Sequence, residues 1–445
     1  MSEETRHRMW LITPLVTLLA AIGVTIALPL ADPIAEPAPG LLAPAETTVS
    51  LSAADDGALR PGVTAETITV GVLGALTGDE AAIGRNVVDG HYLFWESMER
   101  YGGVGGYEIE ILVRDGGLDP SQAVGAYEML SSGAAIVSSS IGTAMIAEDA
   151  LADGMVVVAD SPVSAWADIP NIAINAAQAS FAAEMWVGAS WALEQATPRR
   201  DGPAGILYQD DEYGEDCLSG YRAAITDLGL VSVALQSYDN SSDYLHEQVA
   251  ALSEAGAEVV YLCADPLRLG QFIVAAEAAG YSPTVIATSG SYSPHLVFAL
   301  GAGEYGDWEA ESAGLALLPD LYVVSPVPAY ESDLPGMAEF RRAVEDGDIA
   351  ANEIDFGLWF GYTQAATAHA ILSTAVTAGD LSRAGIAAAF VDTTGVDFGC
   401  GKPPSGYGET SAERVPSTTA AVFRPVSLSE RVFGLEPVTE WISAP

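Results

Sequence analysis

The chain has 445 residues, 49% of them hydrophobic, so it is long enough for more than one globular domain and too apolar to be disordered. It carries 60 Asp and Glu against 17 Lys and Arg, a formal net charge of −43 at pH 7. A surface of that sign repels nucleic-acid phosphates and anionic lipid headgroups, which excludes both as expected partners.

The N-terminus carries a long apolar run. Residues 9–30 contain no Asp, Glu, Lys or Arg, and Arg6 and Arg8 precede them. At about 1.5 Å rise per residue, a helix here is long enough to cross a bilayer core of about 30 Å, with its basic end in the cytoplasm. We expect an uncleaved anchor helix over 1–30, or a cleaved signal peptide at the same place, followed by a disordered spacer over 31–65 that is rich in Pro, Ala and acidic residues.

The folded part opens with a strand, a helix and a second strand. Ile68, Val70 and Val72 belong to a first apolar run, and residues 109–113 form a second run that ends at Asp115. Such runs, rich in β-branched residues and bounded by Gly or Asp, are typical of buried parallel strands. The apolar residues between them recur at helical spacing, so the segment is predicted to be a βαβ unit.

Strands and helices continue to alternate in two series, before and after residues 171–178. This alternation predicts parallel sheets with helices on both faces, and therefore an α/β fold of two doubly wound, Rossmann-like lobes. Helices are predicted over 120–133, 144–152, 180–195, 216–228, 336–345 and 356–377, and strands over 135–138, 155–159, 205–208, 230–236, 259–263, 284–288 and 315–324.

Three motifs of the first unit, taken in order, carry a family resemblance. They are GALTG at 74–78, GGVGG at 102–106 and DGGLDP at 115–120. With these motifs the chain resembles the type I periplasmic solute-binding proteins, specifically the leucine/isoleucine/valine-binding group that serves ABC importers. The resemblance covers residues 66–390.

The resemblance implies two lobes joined by a three-segment hinge, with a ligand cleft between them. Carried over to this chain, lobe one comprises 66–174 and 322–390, and lobe two comprises 175–321 and 391–445. The role of the C-terminal tail stays open at this point.

The candidate site residues lie in the turns that follow the predicted strands. In doubly wound sheets, ligands bind beyond the carboxyl ends of the strands, and hydroxyls and backbone N–H groups there can hold a carboxylate. Ser and Thr also favour such positions merely as helix caps, which is the alternative interpretation. The candidates are Thr77, Ser140, Gly142, Thr143, Ser161, Ser164, Ala165 and Trp166 in lobe one, and Tyr213, Asp265 and Ser289 in lobe two.

The resemblance implies roles for several of these residues. Ser140 and Thr143 in one turn, with Ser164 and Ala165 in the next, match positions that hold the α-carboxylate of an amino acid. Tyr213 matches a tyrosine that faces the cleft.

The expected partner of a ligand ammonium is missing. Ser289 stands where the family often has an acidic residue, which leaves Asp265 as the substitute. Trp166 is expected to stack or pack on a larger or more apolar ligand, or to belong to the core.

Enzyme motifs are missing from the same turns. There is no G-x-G-x-x-G after the first strand and no G-x-S-x-G, and a Walker A lysine is excluded because Lys402 is the only lysine. The acidic turn 210–216 does not follow the calcium-loop pattern and is predicted to be solvated. We therefore expect no catalytic residue, metal or cofactor.

Three cysteines allow one disulfide. Cys217, Cys263 and Cys400 can pair in three ways, and the sequence does not choose among them.

These observations predict an extracytoplasmic protein, either anchored or secreted, that binds a small polar solute by hinged closure and delivers it to an ABC transporter permease. The solute is expected to be an amino acid, an amide or a related organic acid. The alternative is a membrane-anchored, ligand-sensing receptor module of the same fold, and an α/β enzyme is a remote third.

Overall fold

The computed structural model describes residues 60–78, 81–117, 119–140, 142–159, 161–194, 202–239 and 244–445. The predicted anchor over 1–30 and most of the spacer lie outside these residues. Within the described part of the chain, no helix is long and apolar enough to cross a membrane.

The first lobe is built on a five-stranded parallel sheet with the order β2-β1-β3-β4-β5. Strand β1 is buried on both faces, because Val70 and Val72 on one face and Leu73 on the other are all fully enclosed. The predicted βαβ unit is confirmed. The elements are β1 (Thr67–Gly74), α1 (Ala81–Glu99), β2 (Glu108–Asp115), α2 (Pro120–Ser131), β3 (Ile136–Ser139), α3 (Thr143–Asp153), β4 (Val157–Val158), a 3-10 turn (Ser164–Asp168) and β5 (Ile172–Ala173).

The second lobe is built on a larger sheet with a parallel centre and an antiparallel edge. The parallel strands run in the order β7-β6-β8-β9-β10, and the C-terminal strands extend the sheet beyond β10. Its elements are α4 (Phe181–Glu194), β6 (Ala204–Gln209), α5 (Glu212–Leu228), β7 (Ser232–Tyr238), α6 (His246–Glu254), β8 (Val259–Cys263), α7 (Pro266–Ala279), β9 (Thr284–Thr288), α8 (Pro294–Leu300), α9 (Trp308–Leu315) and β10 (Leu321–Ser325).

The strand predicted over 315–324 is wrong in its extent. Asp307 caps a helix by accepting hydrogen bonds from the backbone N–H groups of Glu309 and Ala310, and this helix, α9, ends at Leu315. The strand β10 begins only at Leu321 and pairs with β9 of the second sheet. Residues 322–325 therefore lie in the second sheet, whereas the sequence analysis assigned them to lobe one.

The C-terminal elements serve both lobes. The helix α11 (Phe356–Ala378) packs on α1 of the first lobe at close range, since a Cβ at Gly361 would stand 1.9 Å from the carbonyl oxygen of Val87. The strand β11 returns to the second sheet, where it pairs with β10. The remaining elements are α10 (Pro335–Asp346), α11 (Phe356–Ala378), α12 (Arg383–Asp392), β11 (Thr419–Pro425), β12 (Leu435–Pro437) and β13 (Ile442–Ser443).

The chain thus passes between the two sheets three times, through segments that we call crossing one (174–180), crossing two (326–334) and crossing three (393–418).

One of the three open cysteine pairings is present in the structure. Cys217 on α5 is bonded to Cys263 at the end of β8, and Cys400 in crossing three is free and buried.

Candidate functional site

Asp115, at the end of β2, organises the turn that follows β1. Its carboxylate accepts hydrogen bonds from the backbone N–H of Leu76 at 2.9 Å, the hydroxyl of Thr77 at 2.7 Å and the backbone N–H of Gly117 at 3.0 Å. Desolvation raises the pKa of Asp115, but these hydrogen bonds outweigh it, so the pKa lies below its usual range. Thr77 is exposed at this edge, with its hydroxyl committed to Asp115.

The turn after β3 leads into the N-terminus of α3. Ser140 donates both its backbone N–H and its hydroxyl to the carbonyl of Leu73, at 2.8 and 3.1 Å. Gly142 adopts a left-handed conformation with φ of 77°, which a residue with a side chain rarely takes. Thr143 follows as the first helical residue and is fully buried. The turn places a helix N-terminus, which favours negative charge, at the carboxyl edge of the sheet.

The turn after β4 contains Ser161, Ser164, Ala165 and Trp166. Ser164 is half-buried and Ala165 is exposed. Trp166 is only 6% exposed and donates its indole N–H to the hydroxyl of Ser161 at 3.3 Å. Because its ring packs in one core cluster with Phe181 of α4, Trp166 is a core residue here, which was one of the two interpretations of its role.

A hydrogen bond joins this turn to the second lobe. Asp216 on α5 accepts the backbone N–H of Ser164 at 3.1 Å and that of Ala182 at 3.0 Å. The prediction of a solvated acidic turn over 210–216 is wrong for Asp216, which is 6% exposed because α5 begins at Glu212 and turns this side chain inward. Burial raises the pKa of Asp216, although its hydrogen bonds act in the opposite direction.

Tyr213 lies in the first turn of α5 and belongs to a hydroxyl network. Its hydroxyl contacts those of Thr288 and Ser291, the latter at 3.3 Å, and its ring meets that of Phe181 edge-on at 4.4 Å. Burial raises the pKa of Tyr213, so the phenol stays neutral at physiological pH. This part of the second lobe therefore contains a cluster of neutral hydroxyls.

Ser289 stands at the position where the family resemblance implied an acidic residue. Its backbone and side chain are bonded to a carboxylate from another element. Glu184 of α4 accepts the backbone N–H of Ser289 at 2.7 Å and its hydroxyl at 2.8 Å. Glu184 is fully buried, and this burial raises its pKa to about 8 despite the two hydrogen bonds. Asp265, the other carboxylate considered, caps α7 by accepting the backbone N–H of Arg268 at 2.9 Å.

The topology brings the candidate residues into two groups. The turns after β1, β3 and β4 are neighbours at one edge of the first sheet, because these strands are adjacent and parallel. The turns after β6, β8 and β9 are likewise neighbours in the second sheet, where the hydroxyl of Tyr213 lies 3.5 Å from the carbonyl of Ala264. Whether these residues contact a ligand stays a prediction.

Sequence reasoning missed a residue that holds two of these turns. Gln364 of α11 donates its amide N–H groups to the carbonyls of Ser139 at 2.7 Å and Ala159 at 2.8 Å, at the ends of β3 and β4. Its oxygen pairs with His91 at 2.9 Å. A glutamine and a glutamate within the predominantly apolar helices α11 and α4 were the available signals for Gln364 and Glu184.

Among the described residues, no cluster of three or more His, Cys, Asp or Glu side chains is arranged to hold a metal ion. The chemistry of both walls is that of hydroxyls, backbone N–H groups and carboxylates engaged in hydrogen bonds.

The comparison with protein families identifies the class of the protein. Residues 67–424 match the family model described as periplasmic binding protein, so the chain belongs to that family. As a member of this family the chain is a binding protein, and the family implies a location outside the cytoplasm.

Particular relatives agree with this class. The chain is 27% identical over 201 residues to the Leu/Ile/Val-binding protein homolog 3 of Brucella melitensis, an alignment that spans 44% of this chain and 53% of that relative. Its fold is similar to that of a fatty acid ABC transporter substrate-binding protein from Thermomonospora curvata, with a TM-score of 0.73, 23% identity and coverage of 88% and 96% of the two chains.

A further solved structure has the same fold. It is the solute-binding protein of an ABC transporter from R. palustris in complex with 4-hydroxybenzoate, with a TM-score of 0.68, 16% identity and coverage of 85% and 97%.

Proposed function

We propose that the protein captures a small organic carboxylate between its two lobes and delivers it to the permease of an ABC importer. The observation that carries this proposal is the commitment of Glu184 to Ser289. An amino acid needs a carboxylate for its ammonium group, and at this cleft turn the nearest carboxylate is buried and already accepts two hydrogen bonds.

The first lobe supports the recognition of an anion. The N-terminus of α3, opened by Gly142, lies between turns that carry hydroxyls, and helix N-termini stabilise carboxylates without a countercharge. The opposite wall, around Tyr213, carries no charge of its own, because the hydroxyl of Tyr213 is bonded to those of the buried Thr288 and Ser291. A ligand with a carboxylate at one end and a neutral body suits these two walls.

The names of similar proteins include both kinds of ligand, carboxylates without an ammonium group and amino acids. A fatty acid binder and a 4-hydroxybenzoate complex share the fold, and both ligands are carboxylates without an ammonium group. The Brucella relative is named for branched-chain amino acids, which keeps an amino acid as the competing ligand.

The mechanism follows from the two-lobed architecture. A ligand that bridges the lobes stabilises the closed state by its differential affinity for that state. We also propose that residues 1–30 tether the protein to the membrane, on the basis of the uncharged run after Arg6 and Arg8.

A thermal-shift experiment on the full-length protein in mild detergent tests the ligand class. The panel consists of matched sets, each with a carboxylate, its primary amide and the related amino acid: 4-methylpentanoate, 4-methylpentanamide and leucine, then 4-hydroxybenzoate, 4-hydroxybenzamide and tyrosine. At 100 times its dissociation constant, a ligand adds about 2.7 kcal/mol to the free energy of unfolding.

We expect a carboxylate to raise the melting temperature while its amide does not. Stabilisation by leucine or tyrosine alone would favour an amino acid as the ligand. A panel without any shift would contradict the proposed ligand class.

A further inference from the structure

Crossing three is a long segment that runs along crossing one. The hydroxyl of Tyr407 donates to the carbonyl of Ile174, and the hydroxyl of Ser405 donates to the carbonyl of Ala176 at 3.2 Å. Crossing three (393–418) is called the hinge clamp from here on, because its side chains bind the backbone of crossing one. The sequence alone assigned no role to this part of the tail.

The backbone of the hinge clamp is also hydrogen-bonded to crossing one. Ser180, at the far end of crossing one, donates its N–H to the carbonyl of Ser417 at 3.2 Å. Arg414 is buried and donates to the carbonyl of Ala167 at 3.0 Å, in the 3-10 turn that precedes crossing one. The contact between clamp and crossing therefore extends along the whole of crossing one.

Lys402 lies at the centre of the clamp and joins all three crossings. Its ammonium donates to the carbonyl of Ala177 in crossing one and, at 2.9 Å, to that of Pro326 in crossing two. The ammonium also lies 5.8 Å from the centre of the Trp441 ring, within the range of a cation–π interaction. The only lysine of the chain, which lies in crossing three, is thus hydrogen-bonded to both of the other crossings.

The same ammonium is electrostatically coupled to the cleft. Lys402 and Glu184 attract each other, and Glu184 in turn holds the cleft turn at Ser289. Enclosure by the hinge lowers the pKa of Lys402 to about 8, while the charge of Glu184 acts in the opposite direction.

We propose that the hinge clamp, with Lys402 as its central positioning residue, sets the angle between the two lobes. Rotation of the lobes requires changes of φ and ψ in all three crossings. An ammonium bonded to carbonyls in two of them forces these segments to move together. Its removal leaves both carbonyls without that donor, which frees the crossings to move separately.

The test measures the distance between the lobes without any ligand. Spin labels are attached to the full-length protein in detergent at two exposed helix positions, introduced as Glu128→Cys on α2 and Glu277→Cys on α7, and pulsed electron resonance gives the distance distribution. We expect Lys402→Met to widen this distribution at least about twofold. Lys402→Arg keeps the charge and the hydrogen-bond donors, so its distribution should stay close to the width of the wild type.

Arg424→Met is the matched control. Arg424 is an exposed cation on β11 that pairs with Glu436 on the neighbouring strand β12. Because both residues belong to the same lobe, the loss of this pair should leave the distance distribution unchanged. If Lys402→Met is folded and its distribution superimposes on that of the wild type, the proposal is overturned.

A milder variant covers the case in which Lys402→Met does not fold. The double variant Ser405→Ala and Tyr407→Phe removes two bonds from the clamp to crossing one and leaves the lysine in place. We expect a broadened distribution, and an unchanged one would equally overturn the proposal. Because no ligand takes part, this result is independent of the outcome of the ligand panel.

Discussion

At the scale of single residues, buried polar side chains determine how the cleft turns are held. Glu184 and Gln364 each lie in an apolar helix, and each bonds to the turns or strand ends that border the cleft. The sequence predicted which turns would form the walls of the cleft, because the strands before them are strongly apolar, and that assignment stays a prediction. It did not indicate these two supports, because their partners are more than 100 positions away in the chain.

His91 gives a pH dependence that can be tested. It is fully buried, its Nε2 bonds to Gln364, and its Nδ1 has no hydrogen-bond partner in the described structure. Burial therefore lowers the pKa of His91 from 6.5 to about 4. Between these values the unfolded state binds more protons than the folded state, so the contribution of His91 to stability is lost as the pH falls from 6.5 to 4.

The variant His91→Gln is expected to lose less stability in acid. The free energy of unfolding, measured by urea titration at pH 7 and pH 4, should fall by roughly 3 kcal/mol more in the wild type than in the variant. Equal losses in the two proteins would show that His91 does not stay neutral in the folded state.

At the scale of elements, prediction succeeded where a strand or helix has one clear apolar signal. The strands at Val259–Cys263 and Thr284–Thr288 were predicted with their observed bounds, because turn residues flank short apolar runs. The run over 315–324 was misread, because the end of a helix and a strand are equally apolar there. Apolar character alone does not separate the two.

The prediction for α11 concerns its contact with the ends of β3 and β4. Gln364→Leu keeps the side-chain volume but removes the amide donor that bonds to the carbonyls of Ser139 and Ala159. We expect the free energy of unfolding to fall by about 3 kcal/mol in urea titrations. The matched control is Gln248→Leu, whose amide makes one bond at the surface and should change stability by less than about 1 kcal/mol. Equal effects of the two substitutions would contradict the role given to Gln364.

The disulfide between α5 and β8 is a second test at this scale. It closes a loop of 46 residues, so replacing Cys217 and Cys263 with Ala should cost roughly 4 kcal/mol of stability. Thiol titration of the unreduced, denatured protein should find one thiol, which disappears in Cys400→Ala. Three titratable thiols would show that the bond is not formed.

At the scale of the whole molecule, two sheets joined by three crossings make a hinged binding protein. The family resemblance in the first βαβ unit predicted this architecture, and the family match over residues 67–424 confirms the class. The route of the tail around the hinge was not predictable, because the bonds of Lys402 and Tyr407 join segments far apart in sequence. The net charge of −43 argues against nucleic acids as partners, because it repels their phosphates, and it does not identify the ligand.

The most direct test of the account is a calorimetric titration of the full-length protein with the best carboxylate from the panel. We expect one ligand per chain, and an affinity at least about tenfold lower in Tyr213→Ala and in Thr143→Val, with both variants still folded. Thr226→Val, an exposed threonine bonded to its own helix at the carbonyl of Arg222, is the control and should bind like the wild type. Equal affinity in all four proteins would contradict the assignment of the cleft.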